Sequence, residues 1–226
     1  MDDDEWNRLL RAAREIQKWF PEGVTFIGGL AVYAQAADRA ETAKFASMSH
    51  DADFMILLPD FADLRDIEVL TPNRRLGKQQ FSKDGFEFDV YVEGQHDLPV
   101  PVAEAVAWSQ SKRELCVACP EHLLVLKLKA YADRKGTGKG SKDEDDVITL
   151  LLVGEAWRKD CLTRLTEQML GDLERIVLGD APTRLAQGNL HEAKAIRARA
   201  RSSLDAVCKA YAANYGSGDN DVISCP

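Results

Sequence analysis

Asp51 and Asp53 open a run that continues Phe-Met-Ile-Leu-Leu. The apolar run predicts a buried strand, along which side chains alternate between faces. Both carboxylates therefore leave by one face with Met55 and Leu57, while Ala52, Phe54, Ile56 and Leu58 take the other. Two like charges ~4 Å apart cost on the order of 4 kcal/mol at an effective dielectric of about 20. A divalent cation reverses that sign, which makes the pair a candidate metal site. Asp89 is a third candidate. It lies in the stretch Phe86 to Val92, where Phe86, Phe88, Val90 and Val92 alternate with Glu87, Asp89 and Tyr91. The plainer alternatives are solvated aspartates on a surface strand and an outward polar position on a hairpin.

The elements that must position these acids follow from pattern. Asp4 to Phe20 carries Trp6, Leu9, Leu10, Ala13, Ile16 and Phe20 at helical spacing, with acids at its start, and Pro21-Glu-Gly23 ends it. Val24 to Ile27 reads as a short strand, Gly28-Gly29 as a turn, and Leu30 to about Ala43 as an alanine-rich helix. The Asp51 strand ends at Pro59, Asp60 to Arg65 is a short helix or loop, and Ile67 to Leu70 is a strand broken by Thr71-Pro-Asn73. Lys78 to Ser82 and Phe86 to Val92 flank Lys83-Asp-Gly85, a hairpin signal. Val102 to Ala107 reads as a helix and Leu115 to Ala118 as a last strand. Beyond it the pattern turns helical: a buried helix from Pro120 to near Lys135, a glycine-rich loop Gly136 to Ser141, and a helix Asp143 to Val153. One or two helices follow between Glu155 and Leu178, then a last helix from Leu190 to about Asn214. The expected organisation is a domain over 1–118, a helical region over 119–215, and a disordered tail over 216–226.

Composition bounds the function. The chain has 226 residues, 45% of them hydrophobic, and its longest apolar runs are too short to span a bilayer. The acidic start Met-Asp-Asp-Asp-Glu lacks a signal peptide's positive region, so a cytoplasmic protein with no membrane partner is expected. A net charge of −8 argues against general nucleic-acid coating. Five cysteines at irregular spacing do not suggest a disulfide framework, and Cys116-Val-Ala-Cys119 is a lone pair better read as strand thiols. Gly136-Thr-Gly-Lys-Gly-Ser141 lacks P-loop spacing and follows a helix rather than a strand. The four histidines show no ligand spacing. Lys194, Arg197, Arg199 and Arg201 form a basic strip on the last helix, read either as a solvated face or as an RNA contact.

Taken together, Gly28-Gly29, Ser49-x-Asp51-x-Asp53 and Phe88-Asp89-Val90 resemble the motifs of the nucleotidyltransferase superfamily of DNA polymerase β type. Residues 30–50, which separate Gly29 from Asp51, exceed the usual spacing and imply an inserted turn around Glu41 to Ser47. The second half is similar to the AbiEii-like branch. It carries Pro120-Glu-His-Leu-Leu with Lys127, then Arg134, then Lys142-Asp143-Glu-Asp-Asp146.

The resemblance implies an α/β (α+β) nucleotidyltransferase fold, a small mixed sheet with helices on one side plus a C-terminal helical region. It also implies transfer of a nucleoside monophosphate from a nucleoside triphosphate, with release of pyrophosphate. Asp51, Asp53 and Asp89 would hold Mg²⁺ (or Mn²⁺), with Asp89 also taking a proton. The Gly28-Gly29 backbone and Lys127 would contact the nucleotide, and Asp143 and Asp146 would either act in catalysis or pair with Lys127 and Arg134. The acceptor is unassigned (tRNA, protein or small molecule), and a cognate antitoxin protein is a candidate partner. The alternatives are a carboxylate-metal nuclease, a non-catalytic binding module of the same fold, and an aminoglycoside-type nucleotidyltransferase.

Overall fold

The computed structural model describes residues 2–215. The tail expected over 216–226 lies outside the described residues. The chain divides into two compact units, Met1–Cys119 and Pro120–Pro226.

The first unit is built on one mixed sheet. Its strands are β1 (Val24–Ile27), β2 (Asp51–Ile56), β3 (Thr71–Asn73), β4 (Lys78–Lys83), β5 (Phe86–Val92), β6 (Gln110–Lys112) and β7 (Leu115–Val117), in the order β3-β4-β5-β2-β1-β7-β6. Its helices are α1 (Asp3–Trp19), α2 (Gly28–Ala37), α3 (Ala40–Ala43), α4 (Leu58–Ile67) and α5 (Val102–Ala107). Helix α1 starts on Asp2, whose side chain accepts a hydrogen bond from the Glu5 N–H.

The expected helix from Leu30 to Ala43 is two helices. α2 begins at Gly28 itself, α3 is a single turn, and Lys44 to His50 forms no regular element, so the longer separation before Asp51 is irregular chain. The strand expected over Ile67 to Leu70 is not one. Ile67 ends α4 and Val69 is 90% exposed, whereas Thr71–Asn73 pairs with β4 as the sheet's edge. Pro72 is tolerated there because an edge strand leaves one row of N–H groups without ladder partners. Pro59 lies within the first turn of α4 rather than at a strand end.

Alternation along the central strands sorts the sheet into an apolar face and a polar one. Phe26, Phe54 and Phe88 are wholly buried, and Phe81 nearly so. Phe54 meets Phe26 at 5.7 Å and Phe88 at 6.5 Å between ring centroids, and Phe81 stacks on Phe88 at 5.2 Å. Each such ring contributes roughly 1.5–3 kcal/mol by leaving water, and each pair about 0.5–1.5 kcal/mol more. A one-residue slip of β2 would swap Phe54 with Asp53, so this core fixes the register that places the acids.

The second unit is helical: α6 (Pro120–Arg134), α7 (Gly138–Val153), a 3₁₀ turn Lys159–Cys161, α8 (Glu167–Leu178), α9 (Ala181–Leu185) and α10 (Leu190–Tyr215). The glycine-rich stretch expected as a loop is in part helix. Thr137 caps α7, its hydroxyl accepting from the Gly140 N–H, and residues 138–141 form the first turn. A Cβ on Gly140 would stand 3.2 Å from the Arg134 carbonyl carbon, so glycine lets α7 start against the end of α6. No helix among the described residues is long and apolar enough to cross a membrane.

Candidate active site

β2 runs antiparallel to β1 and parallel to β5, and the register sets Ile27 opposite Asp53 and Asp53 opposite Asp89. Neighbouring strands lie about 4.8 Å apart, and paired residues share a face. Asp53 and Asp89 therefore stand side by side on the polar face. Asp51 is one step along, with Glu87 opposite it. Asp51 is exposed, Asp53 half-buried and Asp89 buried, so the group runs from solvent into the sheet. The Ser49 hydroxyl donates to Asp51 Oδ1 at 2.7 Å.

Gly28 closes the site from the β1 side. Its φ is +66°, and a Cβ there would stand 3.0 Å from Asp53 Cγ and closer still to Oδ2. Both the backbone angle and the space require glycine. Gly29 follows, buried, in the first turn of α2. The N-cap residue of α2 is Ile27, which gives no side-chain hydrogen bond to the first-turn N–H groups, the arrangement in which a helix N-terminus receives an anion.

Asp89 has partners that the sequence pattern did not reveal. Lys78 gives its ammonium to Asp89 Oδ2, and Gln80 donates to Oδ1 at 2.7 Å. Asn73 in turn donates to Gln80 Oε1 at 3.2 Å. A signal for them existed. Asp84 and Gly85 both have positive φ, as a two-residue hairpin turn of type I′ requires. Counting outward from that turn pairs Lys83 with Phe86, Ser82 with Glu87 and Gln80 with Asp89.

Lys127 lies in the second unit and is 8% exposed. Its ammonium is 2.5 Å from Asp146 and 3.4 Å from Asp143. Arg134 makes a two-pronged contact with Asp143, at 2.6 and 2.9 Å. The Lys-Asp-x-x-Asp segment is thus paired with the two cations that the sequence comparison placed beside it. The basic strip is also partly engaged, because Arg197 donates to the Gly179 carbonyl at 2.9 Å and Arg199 to that of Leu152 at 3.3 Å.

The donor set fits a hard divalent cation, since three carboxylates supply oxygen ligands of the kind Mg²⁺ and Mn²⁺ prefer. The cleared space at Gly28 keeps Asp53 Oδ2 from being crowded by a side chain.

No family model and no curated protein matches the chain. Solved structures do resemble it. An antigenic nucleotidyltransferase-like protein from Paracoccidioides brasiliensis has a TM-score of 0.51 and 12% identity, over 91% of this chain and 94% of that one. JHP933 from Helicobacter pylori has a TM-score of 0.51 and 13% identity, over 96% and 98%. A candidate nucleotidyltransferase, also from H. pylori, has a TM-score of 0.50 and 13% identity, over 92% and 98%. The chain has a nucleotidyltransferase-like fold. Within that fold the acids of β2 and β5 share one face, and the glycine that opens α2 adjoins them.

Proposed function

We propose that the protein is a metal-dependent nucleotidyltransferase that moves a nucleoside monophosphate from a nucleoside triphosphate to an acceptor hydroxyl. The observation that carries this reading is the register pair Asp53–Asp89 with Gly28 against Asp53. It is a set of hard-oxygen ligands beside a helix N-terminus, on a nucleotidyltransferase-like fold.

Asp51, Asp53 and Asp89 would hold Mg²⁺ or Mn²⁺, which would supply positive charge against the negative charge that develops on the leaving pyrophosphate. The first-turn N–H groups of α2, from Gly28 onward, face the triphosphate and offset its charge. Ser49 aims Asp51 through the bond to Oδ1. Asp89, on the separate strand β5, accepts the proton of the attacking hydroxyl. A catalytically silent copy of this fold has no need of three acids on one face.

The finer assignment, to AbiEii-like enzymes and to a toxin of a toxin–antitoxin or defence system, draws on the segment around Lys127, Arg134, Asp143 and Asp146. Those four residues also form an ion network of their own around the buried Asp143 and Asp146, and the proposed function stands on the carboxylate site. The acceptor is an RNA, a protein or a small molecule. Arg197 and Arg199 spend part of their donor capacity on backbone carbonyls, and Lys194, Arg199 and Arg201 are the exposed cations of the strip. The test is incubation with each α-labelled nucleoside triphosphate, Mg²⁺ and total cell extract. Label should appear in one class of acceptor, and a protein that labels nothing with any of the four nucleotides does not have this function.

A further inference from the structure

Asp89 is engaged at both oxygens, by Lys78 at Oδ2 and by Gln80 at Oδ1. The Lys78 and Asp89 side chains are only 11% and 12% exposed, so little water screens the pair. A dication and an ammonium on the same carboxylate oxygen repel one another strongly in such a setting. The two are therefore competitors for Asp89.

The fold gives Lys78 somewhere to go. A cleft of about 390 Å³ lies at the β3–β4 end of the sheet, lined by Asn73, Arg74, Gly77, Lys78, Gln79 and Val92. Lys78 thus belongs both to the carboxylate group and to the wall of an open, polar cleft. A lysine side chain carries four rotatable bonds on a flexible stem, so its head can leave Asp89 without moving β4. Gln80 is a different kind of partner. It is neutral, it is tethered by Asn73, and it can keep Oδ1 while Oδ2 changes hands.

We propose that Lys78 is the resident counter-ion of Asp89, displaced into the neighbouring cleft when a divalent cation takes Asp89, while Gln80 and Asn73 hold the carboxylate in place. Lys78 is then a positioning residue that keeps a buried carboxylate aimed before metal arrives, and that tunes metal affinity downward. This inference rests on the carboxylate reading above. It differs from a purely structural role for Lys78 in the sign of its prediction. A structural lysine, once removed, would let Asp89 wander and weaken metal binding, whereas a competing counter-ion, once removed, strengthens it.

The measurement is Mn²⁺ binding to the full chain without nucleotide, read by the loss of the free-ion electron paramagnetic resonance signal. Lys78→Met and Lys78→Gln should each bind Mn²⁺ about tenfold more tightly than wild type, and Lys78→Arg, which keeps the charge, should stay within about threefold of it. Adding Asp89→Asn to Lys78→Met should remove the gain. Affinity unchanged or weakened in both neutral variants overturns the proposal, and circular dichroism identifies either variant if it fails to fold. Asp53→Asn tests the carboxylate site apart from Lys78. If it abolishes Mn²⁺ binding while the Lys78 variants gain nothing, only the counter-ion inference falls. If it binds as wild type does, the carboxylate site itself falls.

Discussion

Gly28→Ala is the substitution that most sharply tests how the site is built. Two costs add at this position. The backbone angle of +66° disfavours any residue with a Cβ by about 1–2 kcal/mol. The new methyl would also overlap the Asp53 carboxylate, with Cγ at 3.0 Å and Oδ2 closer, an overpacking that costs typically 1–3 kcal/mol. The expected loss of stability is therefore about 2–5 kcal/mol, read as a fall in the urea midpoint at constant slope. Gly85→Ala supplies the control, because Gly85 has φ +86° with nothing within 4 Å of an added Cβ and should show the backbone cost alone. The difference between the two variants isolates the collision with Asp53, and it should shrink when both glycine variants are made in an Asp53→Ala background, where only the Asp53 Cβ contact at 3.1 Å is left. Relief of the clash turns Asp53 away, and a displacement of about 1 Å at a reacting centre costs on the order of 100-fold in rate. Equal losses in Gly28→Ala and Gly85→Ala, with transfer activity retained, would refute the claim that Gly28 exists to make room for the carboxylate.

Two further outcomes are expected. Lys127→Ala leaves Asp143 and Asp146 buried without their shared ammonium, and it should destabilise by about 3 kcal/mol or more in urea unfolding, with partial recovery on adding Asp146→Asn. A loss below about 1 kcal/mol would mean the network is not structural. Burial alone would raise the Glu121 carboxyl, but donors from Arg158 at 2.9–3.0 Å outweigh it and hold the group below the usual glutamate range. A depressed folded value stabilises above the unfolded value, about 4.3, and that contribution is lost as pH falls through the lower folded value. The urea midpoint should therefore fall more steeply below about pH 5 in wild type than in Glu121→Gln, and parallel profiles would count against the assignment.

The shared face of the three aspartates was legible because strand alternation is a strong rule. Asp51, Asp53 and Asp89 fall on one face once Phe54 and Phe88 are assigned to the core, and the hairpin turn at Asp84-Gly85 fixes β4 against β5. Strand β6 was not legible. Gln110-Ser-Lys112 carries no apolar alternation, and its turn to β7 is Arg113-Glu114, two residues with positive φ where glycine or asparagine is the usual signal. Tertiary contacts favour that turn: Arg14 donates to the Arg113 carbonyl and pairs with Glu114, and Arg113 donates to the Ala37 carbonyl. Such support comes from α1 and α2, far away in sequence, and local pattern cannot register it. The glycines of 136–140 misled for the opposite reason, since composition marks a loop where a threonine cap and a close approach to Arg134 make a helix start.

Nucleotidyl transfer is proposed to run on the carboxylates of β2 and β5. Its most direct test compares wild type with Asp53→Asn in transfer of label from α-labelled nucleoside triphosphate to the acceptor in cell extract, at matched folding by circular dichroism. Wild type should incorporate label in a Mg²⁺-dependent manner, and Asp53→Asn should incorporate none above background. Equal incorporation by the two proteins would mean that Asp53 takes no part in the transfer.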